Sequence, residues 1–374
     1  GQRLEFDRID LDPTVRHTWW SLTLGGLCLF LSFYGVSQIQ VQRTLTVKNM
    51  QASRRTIWLS WPILTLLFIT TSFSGLAIYS KYHKCDPFLQ KRITSPDMLM
   101  PLYVMDTMST IPGLPGLFVA GIFSAGLSTI SAALNSLAAI TLEDYIKPLY
   151  RKSIGHDFSV TKSVSIAKML AFMFGIISIA LAFLAQFWGG IFQASTIIVG
   201  VVGGPLLGIF TLGMGTESAT EGGTMAGALT AFSFLFWIVL GQPRPKSPKL
   251  PITIEGCNNN VANITMSVLQ NITNFSKSTG DSSYFYLYRI SYLWYSVLGF
   301  LITFIFGLII SSLSHLFIKN QNKKLDINLF FPVIARRIHY RRRSDVESEE
   351  HSPLNRMYTL KSFNDVIPQK DGRR

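Results

Sequence analysis

Seven stretches of the chain are each long and apolar enough to cross a lipid bilayer, and no other feature limits the available folds as much. They run over Trp19–Ile39, Ile57–Tyr79, Leu114–Leu137, Ser163–Ala185, Ile191–Leu212, Met225–Leu240 and Tyr292–Phe317. A helix needs about 20 mostly apolar residues to cross the hydrocarbon. There every backbone N–H and C=O must be satisfied within the protein, so such runs fold as helices. Only 15% of residues are charged and mean hydropathy is +0.31, a balance that a water-facing exterior does not produce. The expected fold is an all-α polytopic membrane protein with about seven spans. Residues 1–317 form its membrane domain and 318–374 a basic, disordered tail.

An odd number of spans puts the two ends on opposite sides. The segment 242–291 carries glycosylation triplets at Asn263, Asn271 and Asn274, which belong on an extracellular face. The tail carries Lys319, Lys323, Lys324, Arg336, Arg337 and the run Arg341, Arg342 and Arg343, which the positive-inside rule places in the cytoplasm. Arg43, Lys48, Arg54 and Arg55 after the first span agree, whereas Arg244, Lys246 and Lys249 lie in the loop assigned outside. The N-terminus is therefore expected outside and the tail inside. Cys85 and Cys257 fall in the two long external loops, where disulfides persist, and are expected to pair. Cys28 reads as a small buried residue of the first span.

The basic balance resides largely in the tail and internal loops, where it orients spans and meets anionic lipid, so it is no nucleic-acid footprint. The six histidines are scattered without metal-site spacing, and no glycine-rich loop ends in Gly-Lys-Ser or Gly-Lys-Thr. No enzyme chemistry and no cofactor emerge.

Polar groups inside the apolar runs remain. Ser124, Ser128, Ser131 and Asn135 follow at steps of four, three and four along the third span, on one helical face. Such hydroxyls either bond back to carbonyls one turn earlier or hold neighbouring helices. Alternatively they face a cation. The first span ends with Gly35, Ser37, Gln38, Gln40 and Gln42. These amides mark either the exit to the cytoplasm or a loosened helix whose carbonyls line a cavity. The fifth span holds Gly200, Gly203, Gly204, Pro205 and Gly208, a pattern for a bend or a static kink.

The segment Leu127–Pro148, LSTISAALNSLAAITLEDYIKP, is similar to the signature of the sodium/solute symporter family. The resemblance extends to the branch of sodium-coupled monocarboxylate, multivitamin and iodide transporters. That branch has counterparts of YGVSQIQVQR at Tyr34–Arg43, YHKCDP at Tyr82–Pro87, PGLPGLFVAGIFSAGLST at Pro112–Thr129, VGGPLLGIF at Val202–Phe210 and SYLWYSVLG at Ser291–Gly299.

The resemblance implies a five-plus-five inverted-repeat transporter of which this chain holds the second repeat and two extra helices, a partial sequence. It implies sodium as the coupling ion, held by the Ala125 carbonyl and the Ser128 and Thr129 hydroxyls, with Ser131 and Asn135 continuing the stripe. The first repeat would supply the other ligands. It assigns Phe30, Phe33, Tyr34 and Thr196 to the substrate; on their own chemistry, Gln38 reads as a donor to a carboxylate and Gly35, Gly203, Gly204 and Pro205 as a gating hinge. Some branch members carry Trp in place of Phe30 and Phe in place of Thr196, a departure that weakens an iodide assignment. The function expected is sodium-coupled symport of small organic anions, foremost monocarboxylates, across the plasma membrane. The alternatives are a multivitamin or inorganic anion symporter, and a truncated, non-transporting membrane interaction protein.

Overall fold

A computed structural model of the chain describes residues 8–156, 158–185, 191–241, 257, 285–317 and 326–350. Among them the regular structure is helical throughout, with no strand. Six helices meet the length and hydropathy of a membrane span, and a seventh is formed by a bent pair. The glycosylation triplets at Asn263, Asn271 and Asn274 lie outside the described residues.

The molecule divides into two compact units. The first comprises 1–204 and 234–298, the second 205–233 and 299–374.

In the first unit, Thr18 and Ser21 open the leading span with reciprocal bonds, Thr18 N to Ser21 Oγ at 2.9 Å and Ser21 N to Thr18 Oγ1 at 3.2 Å. Each hydroxyl satisfies an N–H that has no partner within the helix. The span was expected over Trp19–Ile39, with its end at Gly35–Gln42 either a plain exit or a loosened helix. The helix breaks: α1 (Ser21–Val36) stops, Ser37 turns extended at ψ 125°, and α2 (Gln38–Leu45) departs at 47°. The Ser37 carbonyl accepts from Gln40 N at 3.1 Å and Val41 N at 2.9 Å, so α2 begins as a new helix.

Helix α3 (Met50–Tyr82) starts at Asn49, whose side chain accepts from Ala52 N at 3.0 Å. Its 33 residues reach about 50 Å, longer than the hydrocarbon is thick, so Arg54 and Arg55 need not enter it. Trp58 and Phe73 on α3 are 75% and 66% exposed, as side chains that face lipid tails are. Helix α4 (Leu99–Met108) is too short to span.

Gly113, at φ 90°, turns the chain into α5, which runs from Leu114 to Ile154 through a π-helical segment at Thr141–Ile146. Gly155, at φ 77°, ends it by donating to the Arg151 carbonyl at 3.0 Å. Both glycines hold left-handed backbone that a side chain would strain. Helix α6 (Val160–Ala185) packs along α5.

Helix α7 (Ile191–Gly215) continues unbroken through Pro205. A Cβ at Gly204 would lie 3.0 Å from Ser296 Cα, and one at Gly200 would lie 3.3 Å from Tyr295 Cβ. These residues begin α9 (Trp294–Phe317). Cys85 is joined to Cys257, with Cα atoms 5.2 Å apart.

In the second unit, α8 (Glu221–Leu240) and α9 approach backbone to backbone. A Cβ on Gly227 would sit 2.6 Å from Gly307 N and 2.7 Å from Thr303 O, and one on Gly223 2.7 Å from Ser311 N. Gly223 and Gly227 on one helix, with Thr303, Gly307 and Ser311 on the other, repeat small residues every fourth position. Close packing in lipid uses that spacing, since no hydrophobic drive holds the helices together there. Thr220 N caps this crossing by donating to Ser311 Oγ at 3.0 Å.

The tail was expected to be disordered from Asn320 onward, and between Asp326 and Glu350 that is corrected. A short 3-10 turn at Ile327–Leu329 leads into α10 (Pro332–Glu350). Proline suits the first helical position because its missing N–H would have no partner there. The Phe331 N–H donates to the Met214 carbonyl at 3.1 Å, Ile338 is buried, and Arg341 pairs with Glu217 at 2.9 Å. These three contacts dock a segment whose composition alone would leave it unfolded.

Candidate functional site

The residues assigned to sodium all lie on α5. Ala125, Ser128, Thr129, Ser131 and Asn135 are exposed, among apolar neighbours such as Phe123 and Leu127 that are 74% and 71% exposed. Thr129 Oγ1 donates to the Ala125 carbonyl at 3.1 Å. This is the back-bond expected of a hydroxyl in an apolar helix. It also sets two oxygens side by side, so a cation could engage both once the hydroxyl proton turned away. Asn135, two turns below Ser128, opens onto a recess between α5 and α6 lined by Ala138, Glu143, Ser163 and Lys168.

Ser136, outside the predicted stripe, is buried, and its Oγ donates to Gln42 Oε1 at 2.7 Å. That bond holds α2, the second half of the broken span, against the helix that carries the sodium candidates. Sequence analysis had noted the amide of Gln42 without a partner. Ser136 sits one residue past Asn135, off the counted face, and only the tertiary fold joins it to a residue 94 positions earlier.

Two of the three aromatic candidates, Phe30 and Tyr34, form one group. Phe30 stacks on Tyr34 with centroids 6.0 Å apart and meets Phe68 of α3 edge-on at 6.2 Å. Phe33 and Gln38 are exposed, Gln38 as the first residue of α2. Thr196 lies on α7 and bonds back to the Phe192 carbonyl at 2.9 Å. Gly203 meets Ser32 of α1 closely enough that a Cβ would lie 3.2 Å from Ser32 Cβ. Seven residues separate Thr196 from Gly203, so Thr196 occupies the same face of α7, two turns away. Gly35 has open space around it, and the break falls two residues later.

A polar clasp that sequence analysis missed closes the far end of α3 against α4. Asp106 accepts from Arg92 at 2.7 Å and from the Tyr82 hydroxyl at 2.8 Å, and Lys81 donates to Thr107 at 2.9 Å while lying over the Tyr103 ring. The Arg92 guanidinium holds the Asp106 carboxyl below the usual carboxylate range, with the Tyr82 hydroxyl adding to it against partial burial. These partners lie 14 to 26 positions apart, a separation that carries no periodic signal. Among the described residues, no cluster of His, Cys, Asp and Glu is arranged to hold a metal ion.

The profile of the sodium:solute symporter family matches residues 9–231. A Drosophila melanogaster protein named as a candidate sodium-dependent multivitamin transporter is 43% identical over 91% of this chain and 57% of its own length. Sodium-coupled monocarboxylate transporter 1 of Homo sapiens is 36% identical over 83% of this chain and 52% of its own. The chain thus spans about half the length of the curated relatives it matches. A solved Na+-coupled sialic acid symporter, in a substrate-bound outward-open state, shares the fold with a TM-score of 0.53 at 20% identity. That likeness covers 80% of this chain and 52% of the solved one. With the profile matched over more than half the chain and relatives of this identity along most of it, the chain belongs to the sodium:solute symporter family.

Proposed function

We propose that this chain is the part of a plasma-membrane symporter that couples sodium entry to uptake of small organic anions, foremost short monocarboxylates, by alternating access. One observation carries the reading: a span broken by 47° at Ser37 is pinned through Gln42 to the helix that bears Ala125, Ser128 and Thr129. Broken spans place helix ends and free carbonyls at membrane depth, where transporters bind ions and anionic solutes. Neutral oxygens suit an ion that must bind and then leave.

Sodium is the coupling cargo here, held on this chain by the Ala125 carbonyl and the Ser128 and Thr129 hydroxyls, with Ser131 and Asn135 below them. The anion would lie along Phe30, Phe33 and Tyr34, with Gln38 donating to a carboxylate and Thr196 bordering from α7. Helix dipoles and sodium offset its charge. Movement at Gly35 and at Gly203, Gly204 and Pro205 would have to part the Ser32 and Ser296 contacts, which makes those glycines the positions where packing and motion are coupled. In this reading the N-terminal end of the chain is extracellular, segment 242–291 is glycosylated outside, and 318–374 is cytoplasmic.

The 43% identity to the Drosophila melanogaster relative favours a second reading, in which the anion is a carboxylated vitamin. Competition decides between them. Cells expressing a full-length protein that carries this chain take up labelled lactate in a sodium gradient. Inhibition by short monocarboxylates but not by biotin supports the first reading, and inhibition by biotin at lower concentration replaces it with the second.

A further inference from the structure

Helix α10 carries Arg341, Arg342 and Arg343 directly before Ser344, followed by Asp345, Glu347, Glu349 and Glu350. Ser344 is exposed, and its hydroxyl donates to the Arg341 carbonyl three residues back, at 2.8 Å. Arg341 in turn reaches Glu217 in the turn between α7 and α8, within the same unit. We infer that Ser344 is the acceptor of an arginine-directed protein kinase, and that its phosphorylation releases α10 from Glu217.

Recognition follows from charge and geometry. Carboxylates in the substrate cleft of such a kinase bind guanidinium groups two and three residues before the acceptor, and Arg342 and Arg341 stand there. The cleft takes an extended peptide, so the last turns of α10 must unwind. The helix is built to let them: every arginine precedes the four acids, which crowd its C-terminal end where the helix dipole disfavours negative charge. In the transfer, the γ-phosphoryl of Mg-ATP passes to Ser344 Oγ. The new P–O bond forms as the bond to ADP breaks, and the hydroxyl proton goes to the kinase's catalytic carboxylate.

The product changes the contest for Arg341. The Arg341–Glu217 pair is at the surface, its side chains 55% and 30% exposed, and such pairs contribute little. A phosphate of charge near −2 three residues away outcompetes one carboxylate for the guanidinium. Loss of that pair releases α10 from Glu217, while the Phe331 bond and buried Ile338 still hold its start. This inference rests on the cytoplasmic placement of 318–374 for its role in cells, but its chemistry is tested without transport.

The test incubates the purified full chain, in lipid nanodiscs, with Mg-ATP and the cyclic-AMP-dependent kinase, then maps phosphopeptides and follows amide hydrogen exchange over 332–343. Phosphate is expected on Ser344, absent in Ser344→Ala and formed about tenfold more slowly in Arg342→Ala. Exchange in α10 should accelerate about threefold on phosphorylation, and in unphosphorylated Glu217→Gln by a similar factor. No phosphate on Ser344, or an unchanged rate in Arg342→Ala, overturns the site. Phosphorylated Ser344 with unchanged exchange, or a Glu217→Gln chain as protected as the parent, overturns the release.

Discussion

At Ser136 a single hydroxyl links the two halves of the proposed machinery, because its bond to Gln42 is the described side-chain bond between α2 and α5. In Ser136→Ala the Gln42 amide loses its partner at a buried contact. A loss of about 1 kcal/mol is expected, read as a lower melting temperature of the protein in detergent. Asp106 makes a pH prediction whose sign follows from its lowered pKa. A depressed carboxylate stabilises the fold above the unfolded value and loses that contribution as pH falls through the folded one. The clasp should therefore be indifferent between pH 6 and 8 and open only below about pH 4, which hydrogen exchange over 92–108 would detect. The partners are partly exposed, so the effect is modest and screened by salt. Cys85 and Cys257 should resist alkylation on unreduced protein and react after reduction. Free thiols at both positions before reduction would contradict the bond. The hydroxyls and aromatics of the site were legible residue by residue, because their spacing along one helix is a local property. Their partners were not, since Gln42 with Ser136 and Arg92 with Asp106 are joined only by the fold.

Helix α9 shows how elements in this protein are held. Its small residues meet Gly223 and Gly227 of α8 at backbone distance, leaving no room for a side chain. Gly227→Leu should therefore force the helices apart and cost roughly 1–3 kcal/mol, measurable as lost thermal stability and reduced surface expression. The same substitution at Gly222, where a Cβ meets open space, serves as the control and should cost far less. Most span ends were readable to within a few residues, because a bilayer of fixed thickness demands apolar runs of fixed length. Helix α3, however, begins seven residues before its apolar run and α5 continues 17 residues beyond its own, as helix outside the hydrocarbon carries no such signal. The break in the first span was half-readable: Gly35 signalled a loosened helix, but the stop at Ser37 depends on how the backbone restarts into α2. Helix α10 was not readable. Its docking uses a backbone bond from Phe331, one buried isoleucine and one ion pair, none of which lifts its arginine-rich composition above that of a solvated tail.

At the scale of the whole molecule, the proposed sodium site is one half of an ion site. The chain covers about half the length of its relatives, and the hydroxyl face of α5 is exposed along its length. The account holds that this face supplies the Ala125, Ser128 and Thr129 oxygens to sodium, while the rest of the transporter supplies the remaining ligands. The most direct test is the sodium activation curve of substrate uptake by a full-length protein carrying this chain, for the parent and for Thr129→Ala. The account predicts that the variant needs about tenfold more sodium for half-maximal uptake, with the maximal rate recovered at high sodium, as expected when one oxygen ligand of several is removed. A variant whose sodium dependence matches the parent's, at equal surface expression, would contradict it.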